Sequence, residues 1–355
     1  MKFGFILSFV FFFTFKIAQA HEAYVLPHDT FWNVLNGPFN SLAFQAFKNS
    51  HNIYISLVIA SSVLVLLALN FLFRQTNLGQ RVHGFFESFA HLGPQFVRIS
   101  IALALFFSAL SYSFLGPELE VGAFPFASIV RVILFAVSIM IALGLFTEIA
   151  AFLGIVVFAY SFHVFGSYVL TYSNYLGELI VLLLFGMRVF SVDKYIFGRL
   201  GHLQSFEKYE TLIVRVLYGV ALIYAGVTVK LLHPELTIEV INDWNLTQFH
   251  WLFPSDPLLV TFGAGIVETI IGLFIIFGFE MRLTILISLF YITLSLAYFR
   301  ELVWPHLLLY GISFNLLVQP ETFTLDHIWF KHHRKSKSWW KRIFSPHNSR
   351  GKSSL

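Results

Sequence analysis

Residues 211–236 read TLIVRVLYGVALIYAGVTVKLLHPEL, and they set the architecture of the whole chain. From 211 to 232 the only charges are Arg215 and Lys230. At 1.5 Å per residue such a helix reaches about 33 Å, enough to cross a hydrocarbon core of about 30 Å. An ungapped match lies 117 residues earlier, VRISIALALFFSALSYSFLGPEL at 97–119. Eight of 23 aligned positions are identical: Val97/Val214, Arg98/Arg215, Ala104/Ala221, Leu105/Leu222, Leu115/Leu232, Pro117/Pro234, Glu118/Glu235 and Leu119/Leu236. Each copy opens a group of four apolar stretches. Four is even, so both groups insert with one orientation, as a parallel repeat about an axis along the membrane normal. The expected fold class is all-α: a polytopic integral membrane helix bundle of one leading helix and two tandem parallel four-helix units. The later helices of the two groups align poorly, apart from Gly144 and Gly278, each near a short turn on the inside.

Composition agrees. Of 355 residues 57% are hydrophobic and 12% charged, with 44 Phe, 14 Tyr and 7 Trp. A soluble domain carries about twice that share of charge and cannot hide so much apolar surface. There is no cysteine. That excludes disulfides, thiolate metal sites, Cys-ligated iron–sulfur clusters and dithiol redox catalysis by this chain. No phosphate-cradling glycine loop, haem-attachment motif or Ser-His-Asp arrangement is legible, and the Phe excess reads as lipid-facing filler.

Nine stretches are apolar enough to be membrane helices, near 52–73, 95–115, 126–146, 149–166, 174–190, 211–232, 258–279, 282–299 and 303–319. Before them, Lys2, the short apolar run Phe3 to Phe15 and the small-residue site Ala18-Gln19-Ala20 read as a signal peptide over 1–20, although Lys16 beside the site leaves an uncleaved anchor open. Cleavage would start the mature chain at HEAYVL, 21–26, outside the cytoplasm. The expected divisions are then an extracytoplasmic segment 21–51, a first helix and cytoplasmic loop 52–94, a first four-helix unit 95–190, a cytoplasmic linker 191–210, a second unit 211–319 and a basic cytoplasmic tail 320–355. Charge supports this orientation. Arg74, Arg81, Arg188, Lys194, Arg199, Lys208 and the basic tail fall inside, while Glu118, Glu120, Glu235, Glu239, Asp243 and Asp256 fall outside. The tail, with Trp339 and Trp340, reads as an anchor on acidic lipid rather than a nucleic-acid site. The expected location is the cytoplasmic (inner) membrane.

The stretch from Arg215 through Gly219 and Gly226 to Lys230 resembles the opening helix of the DoxX/DoxD-like membrane proteins. HEAYVL is similar to the mature start of longer members. The first unit has Ala109 and Ser113 where the second has Gly226 and Lys230, so the lysine is not duplicated. The resemblance implies four-helix units and a subunit of a quinone-linked membrane oxidoreductase, such as the small subunit of thiosulfate:quinone oxidoreductase, or of a related redox or stress-response complex. Quinone and a partner redox subunit are the implied partners beside lipid. It implies fold more strongly than reaction.

Ionisable residues inside a membrane are costly and mark function. Glu268 is the most anomalous, a lone carboxyl near the midplane that should be neutral or paired with Arg131 or Lys230. Arg98 and Arg215 sit near the inner helix ends, where long stems can snorkel. Arg131 and Glu178 fall in the outer half, and His163, Lys230, His233, Arg300, Glu301 and His306 at outer helix ends. The site read from the sequence is Glu268, Lys230, Glu178, His163, His306 and Arg131, lining an outward-facing cavity. A quinol needs a His or carboxylate for its protons and an aromatic slot, to which Tyr160, Tyr168, Tyr172 and Tyr224 could contribute. Structural ion pairs and hydrogen-bonded core histidines are the plainer readings. Two alternatives stand beside the oxidoreductase. One is a transporter or metal-handling protein with copper at His21 and His28. The other is a noncatalytic assembly subunit.

Overall fold

The computed structural model describes residues 26–186, 191–197, 208–248, 254–299, 301–319 and 322–327. The signal peptide, His21, His250, Arg300, the basic tail beyond residue 327 and parts of the linker lie outside the described residues. The helices are α1 (His28–Leu35), α2 (Ser50–Arg74), α3 (Asn77–Glu87), α4 (Gly93–Leu110), α5 (Ala127–Leu143), α6 (Thr147–Phe165), α7 (Ser173–Phe185), α8 (Val192–Phe197), α9 (Glu210–Tyr224), α10 (Pro234–Asp243), α11 (Pro257–Phe277), α12 (Met281–Tyr298) and α13 (Leu307–Val318). Each of the nine apolar stretches contains a helix. Among the described residues six helical segments can cross a membrane by length and composition: Ser50–Arg74, Asn77–Leu110, Thr147–Phe185, Glu210–Leu231, Pro257–Phe277 and Met281–Tyr298. Ala127–Leu143 and Trp304–Val318 are apolar but shorter. The run Thr147–Phe185 holds two of the nine stretches. Gly166, at φ +61°, ends α6, and a 3-10 segment to Tyr172 turns the chain into α7.

Eight helices close a ring: α4, α5, α6, α7, α9, α11, α12, α13 and back to α4. Neighbours run antiparallel. Ser138 donates to the Ala102 carbonyl at 2.8 Å, Ser173 to that of Leu217 at 2.8 Å, and Arg282 Nε to that of Leu317 at 3.0 Å. Lipid offers no hydrophobic drive between helices, so close packing at small residues holds the ring. A Cβ on Gly177 would touch Val214 and Leu217, and one on Gly311 would touch Val97 and Ser100. α7 thus packs on α9 as α13 packs on α4.

The turns after α5 and α11 correspond as well. Gly144 and Gly278 adopt left-handed conformations, φ +64° and +66°, that end α5 and α11 without a Cβ penalty. Asp193 then accepts from the N–H groups of Phe146 and Thr147 at 2.8 and 3.0 Å. Asp326 accepts from those of Glu280 and Met281 at 3.1 and 3.4 Å. These carboxylates cap the first turns of α6 and α12. Arg98 and Arg215 pack against the two glycine turns and are buried, at 7% and 2% exposure. They do not snorkel to a surface: each guanidinium lies at the negative, carbonyl end of a helix.

α2 stands off the ring, its apolar window wholly exposed. Its ends are clipped by polar contacts. Asn52 donates to Asp256 at 2.6 Å and to the Ala46 carbonyl at 2.8 Å; at the other end Asn70 and Arg74 bind Glu280, and Arg74 binds Asp326.

Candidate functional site

After Tyr224 the helix widens into a π-helical segment, Ala225–Leu231. Such bulges mark functional sites because they re-aim a side chain without ending the helix. Here the segment carries Lys230, which is 4% exposed. Lys230 Nζ lies 3.0 Å from Glu268 Oε2 in the middle of α11, and Glu268 is 7% exposed. Glu268 Oε2 has no aligned hydrogen-bond partner, so the contact is one of charge with charge. Gly226 and Gly265 let the backbones meet beside it: a Cβ on Gly226 would stand 2.6 Å from the Gly265 oxygen, and one on Gly265 would stand 2.9 Å from that of Gly226.

A second group lies where the two units meet. His306 Nε2 is 2.9 Å from Glu301 Oε2, and its Nδ1 is 3.0 Å from the Leu302 carbonyl. A carbonyl can only accept, so Nδ1 carries the proton in that bond, while Glu301 Oε2 stands close to Nε2 without an aligned hydrogen bond. Ser295 donates to the other Glu301 oxygen. Glu118 lies close enough to act electrostatically on His306. Glu118 is buried, and its Oε1 accepts from Tyr168 at 3.0 Å and Tyr172 at 2.6 Å. α1 covers this group: Phe31 and Trp32 meet the Tyr168 ring edge-on at 5.3 and 5.5 Å.

The remaining expected residues lie apart from these groups. Arg131 Nε donates to the Ala109 carbonyl at 2.9 Å and its guanidinium lies over Tyr112 and Phe135, so it serves the end of α4 and not Glu268. His163 is exposed on α6 beside Tyr160, facing away from the ring interior. Glu178 is buried, one residue past the Gly177–Val214 contact, and Glu210 at the start of α9 acts on it electrostatically. Lys230 is 16 residues further along than Val214, about 24 Å at helical rise. The expectation that Glu178 lies at the same depth as the Lys230 end is therefore corrected: it is level with the Glu210 end of α9, because α7 is short and its first turn is already level with Leu217. Among the tyrosines, Tyr168 and Tyr172 bind Glu118. Tyr224 bonds Ser167 at 2.8 Å, and Tyr160 stacks on Phe124. The exposed His28 takes the Trp32 indole N–H at 3.0 Å, and among the described residues no group of three metal-ligating side chains converges.

Glu118 reads in the sequence as a loop charge and Glu301 as a helix-end polar group. The signal for Glu118 was its place in the repeated Pro-Glu-Leu ending. Glu301 had no signal beyond its nearness to His306.

Residues 211–301 match a family model described as DoxX. No curated protein and no solved structure matches the chain. The matched residues run from the first turn of α9 past α12 and include the π segment, Lys230, Glu268 and Glu301. The chain is a helical membrane protein in which residues 211–301 match the DoxX model.

Proposed function

We propose that this protein is a subunit of a quinone-linked membrane oxidoreductase or related redox complex, with Lys230, Glu268 and the His306–Glu301 pair as its chemical groups. The observation that carries the reading is the buried Lys230–Glu268 pair on a π turn inside the DoxX domain. An ion pair inside a membrane is costly, and both members of this one lie within the residues that match the DoxX model. The donor set suits a quinone head: an ammonium gives hydrogen bonds to a carbonyl oxygen, and a carboxylate or imidazole takes a hydroxyl proton. The quinone supplies two-electron, two-proton redox chemistry. The chain has no cysteine, so the electrons reach a partner through groups other than its thiols.

The reading includes a duplicated four-helix unit. Its support is the recurrence of the Arg98/Arg215, Gly144/Gly278, Asp193/Asp326 and Gly177/Gly311 contacts. The second unit alone carries the Lys–Glu pair, since Ser113 stands opposite Lys230 in the alignment. The orientation proposed is an outside N-terminus and a cytoplasmic C-terminus.

The test is purification with native lipid. Bound quinone should become reduced on adding a donor together with the partner subunit, and Glu268→Gln and Lys230→Met should each abolish this while the protein stays folded. Purified protein without quinone, and variants that leave turnover intact, would sink the reading.

A further inference from the structure

Buried polar residues run along α7 and the 3-10 segment before it. Tyr172, Tyr175 and Glu178 follow at spacings of three where the chain enters α7, so each lies about one turn from the next, and Tyr168 precedes them in the 3-10 segment. All four are buried. At the outer end Tyr168 and Tyr172 hold Glu118, which also acts electrostatically on Tyr175 and His306. The Tyr172 and Tyr175 rings lie 6.1 Å apart between centroids. At the inner end Glu178 feels Glu210, which is half-buried at the first turn of α9.

Fastening explains only the upper part of this stripe. Tyr168 and Tyr172 tie the loop after α4 to the chain before α7. Among the described residues, however, Glu178 has no hydrogen bond or ion pair, and the Tyr175 hydroxyl is buried without a partner. Packing does not require a carboxyl there. Gly177 on α7 and Gly311 on α13 make the same contact with the opposite unit, and the residue after Gly311 is Ile312. One unit therefore holds a carboxylic acid where the other holds an aliphatic side chain.

We propose that the stripe from Glu118 through Tyr172 and Tyr175 to Glu178 is a proton-transfer path between the outer group at His306 and the inner face at Glu210. In each hop a donor O–H breaks as an O–H forms on the next acceptor, and the emptied donor is refilled from behind. One proton crosses per cycle, with no change of oxidation state. Chains of Glu, Tyr and His within membrane helices perform this task. The path shares His306 with the quinone reading but needs neither Lys230 nor Glu268, and its proton flux is measured without quinone, so the two readings fail separately.

The experiment uses the full chain in liposomes holding a pH-sensitive dye, with a potassium diffusion potential as the driving force. Wild type should acidify the lumen well above protein-free liposomes, and Glu178→Gln should lower that rate by roughly tenfold or more. If Glu178→Gln does not fold, Tyr175→Phe removes a single hydroxyl and should give the same loss. Wild-type flux no greater than that of empty liposomes, or a folded variant with wild-type flux, overturns the proposal.

Discussion

Lys230 and Glu268 meet at 3.0 Å inside the helix bundle, one on a π turn and the other at mid-helix. Removing one member leaves a buried charge without its counter-charge. Lys230→Met or Glu268→Leu alone should therefore cost about 3–5 kcal/mol, while the double replacement by apolar residues should restore most of the stability. Thermal melting in detergent checks this, and a double variant no better than the singles refutes it.

The glycine seam between α9 and α11 makes a sharper comparison. A Cβ on Gly226 would meet the Gly265 carbonyl at 2.6 Å, a backbone atom that cannot step aside, whereas one on Gly263 would meet nothing within 4 Å. Gly226→Ala should destabilise by about 1–3 kcal/mol. Gly263→Ala should be neutral or stabilising by up to about 1 kcal/mol through helix propensity. Equal melting temperatures for the two would contradict the packing described.

Asp193 and Asp326 do the same capping work in the two units, but Asp326 also binds Arg74 of α2. Asp193→Ala should cost about 0.5–2 kcal/mol, as cap losses do. Asp326→Ala should cost more and should also expose α2 to proteolysis at its clipped end. Limited digestion of both variants, read beside their melting curves, separates these outcomes.

His233, beyond the end of the π segment, predicts a pH dependence. Burial holds its imidazole below the usual value of 6.5, with the Glu235 carboxylate opposing. A depressed histidine favours the neutral ring in the folded state. The stability it contributes is present above about pH 6.5 and is lost as pH falls, when the unfolded chain binds the proton more readily. Melting temperature should drop between about pH 7 and 5, and His233→Gln should flatten part of that slope. Identical slopes would show that another group titrates.

Orientation gives a cheap check. Basic residues crowd the tail after 320, so a reporter fused after Leu355 should read as cytoplasmic. A periplasmic readout reverses the proposed orientation.

Much of the fold could be read directly because a bilayer imposes a length and a charge rule on every helix. The nine apolar stretches became helices, and the shared Arg98 and Arg215 proved to occupy matching turns. The similarity of the later helices was hidden because it rests on scattered residues. Gly177 and Gly311, or Asp193 and Asp326, align only once the helices have been packed.

The candidate site was legible in part. A lone carboxyl in an apolar run announces itself, so Glu268 was visible. Its partner was not, because Arg131 and Lys230 were equally plausible until the π turn aimed one inward and the Ala109 carbonyl occupied the other. Glu118 looked like one acidic loop residue among several. Glu178 looked like an outer-half group, because hydropathy does not report that a 3-10 turn precedes a short helix.

Residue order alone therefore settled the class of protein, its helices and the list of charges too deep to be incidental. Those properties are local: transfer of each segment from water to lipid depends on its own composition. Which charges meet is a matter of three-dimensional packing. The α9–α11 glycine seam pairs Lys230 with Glu268, and the short α7 brings Tyr168 and Tyr172 onto Glu118. Contacts between residues far apart in the chain follow from how helices fit together, and no single segment encodes that fit.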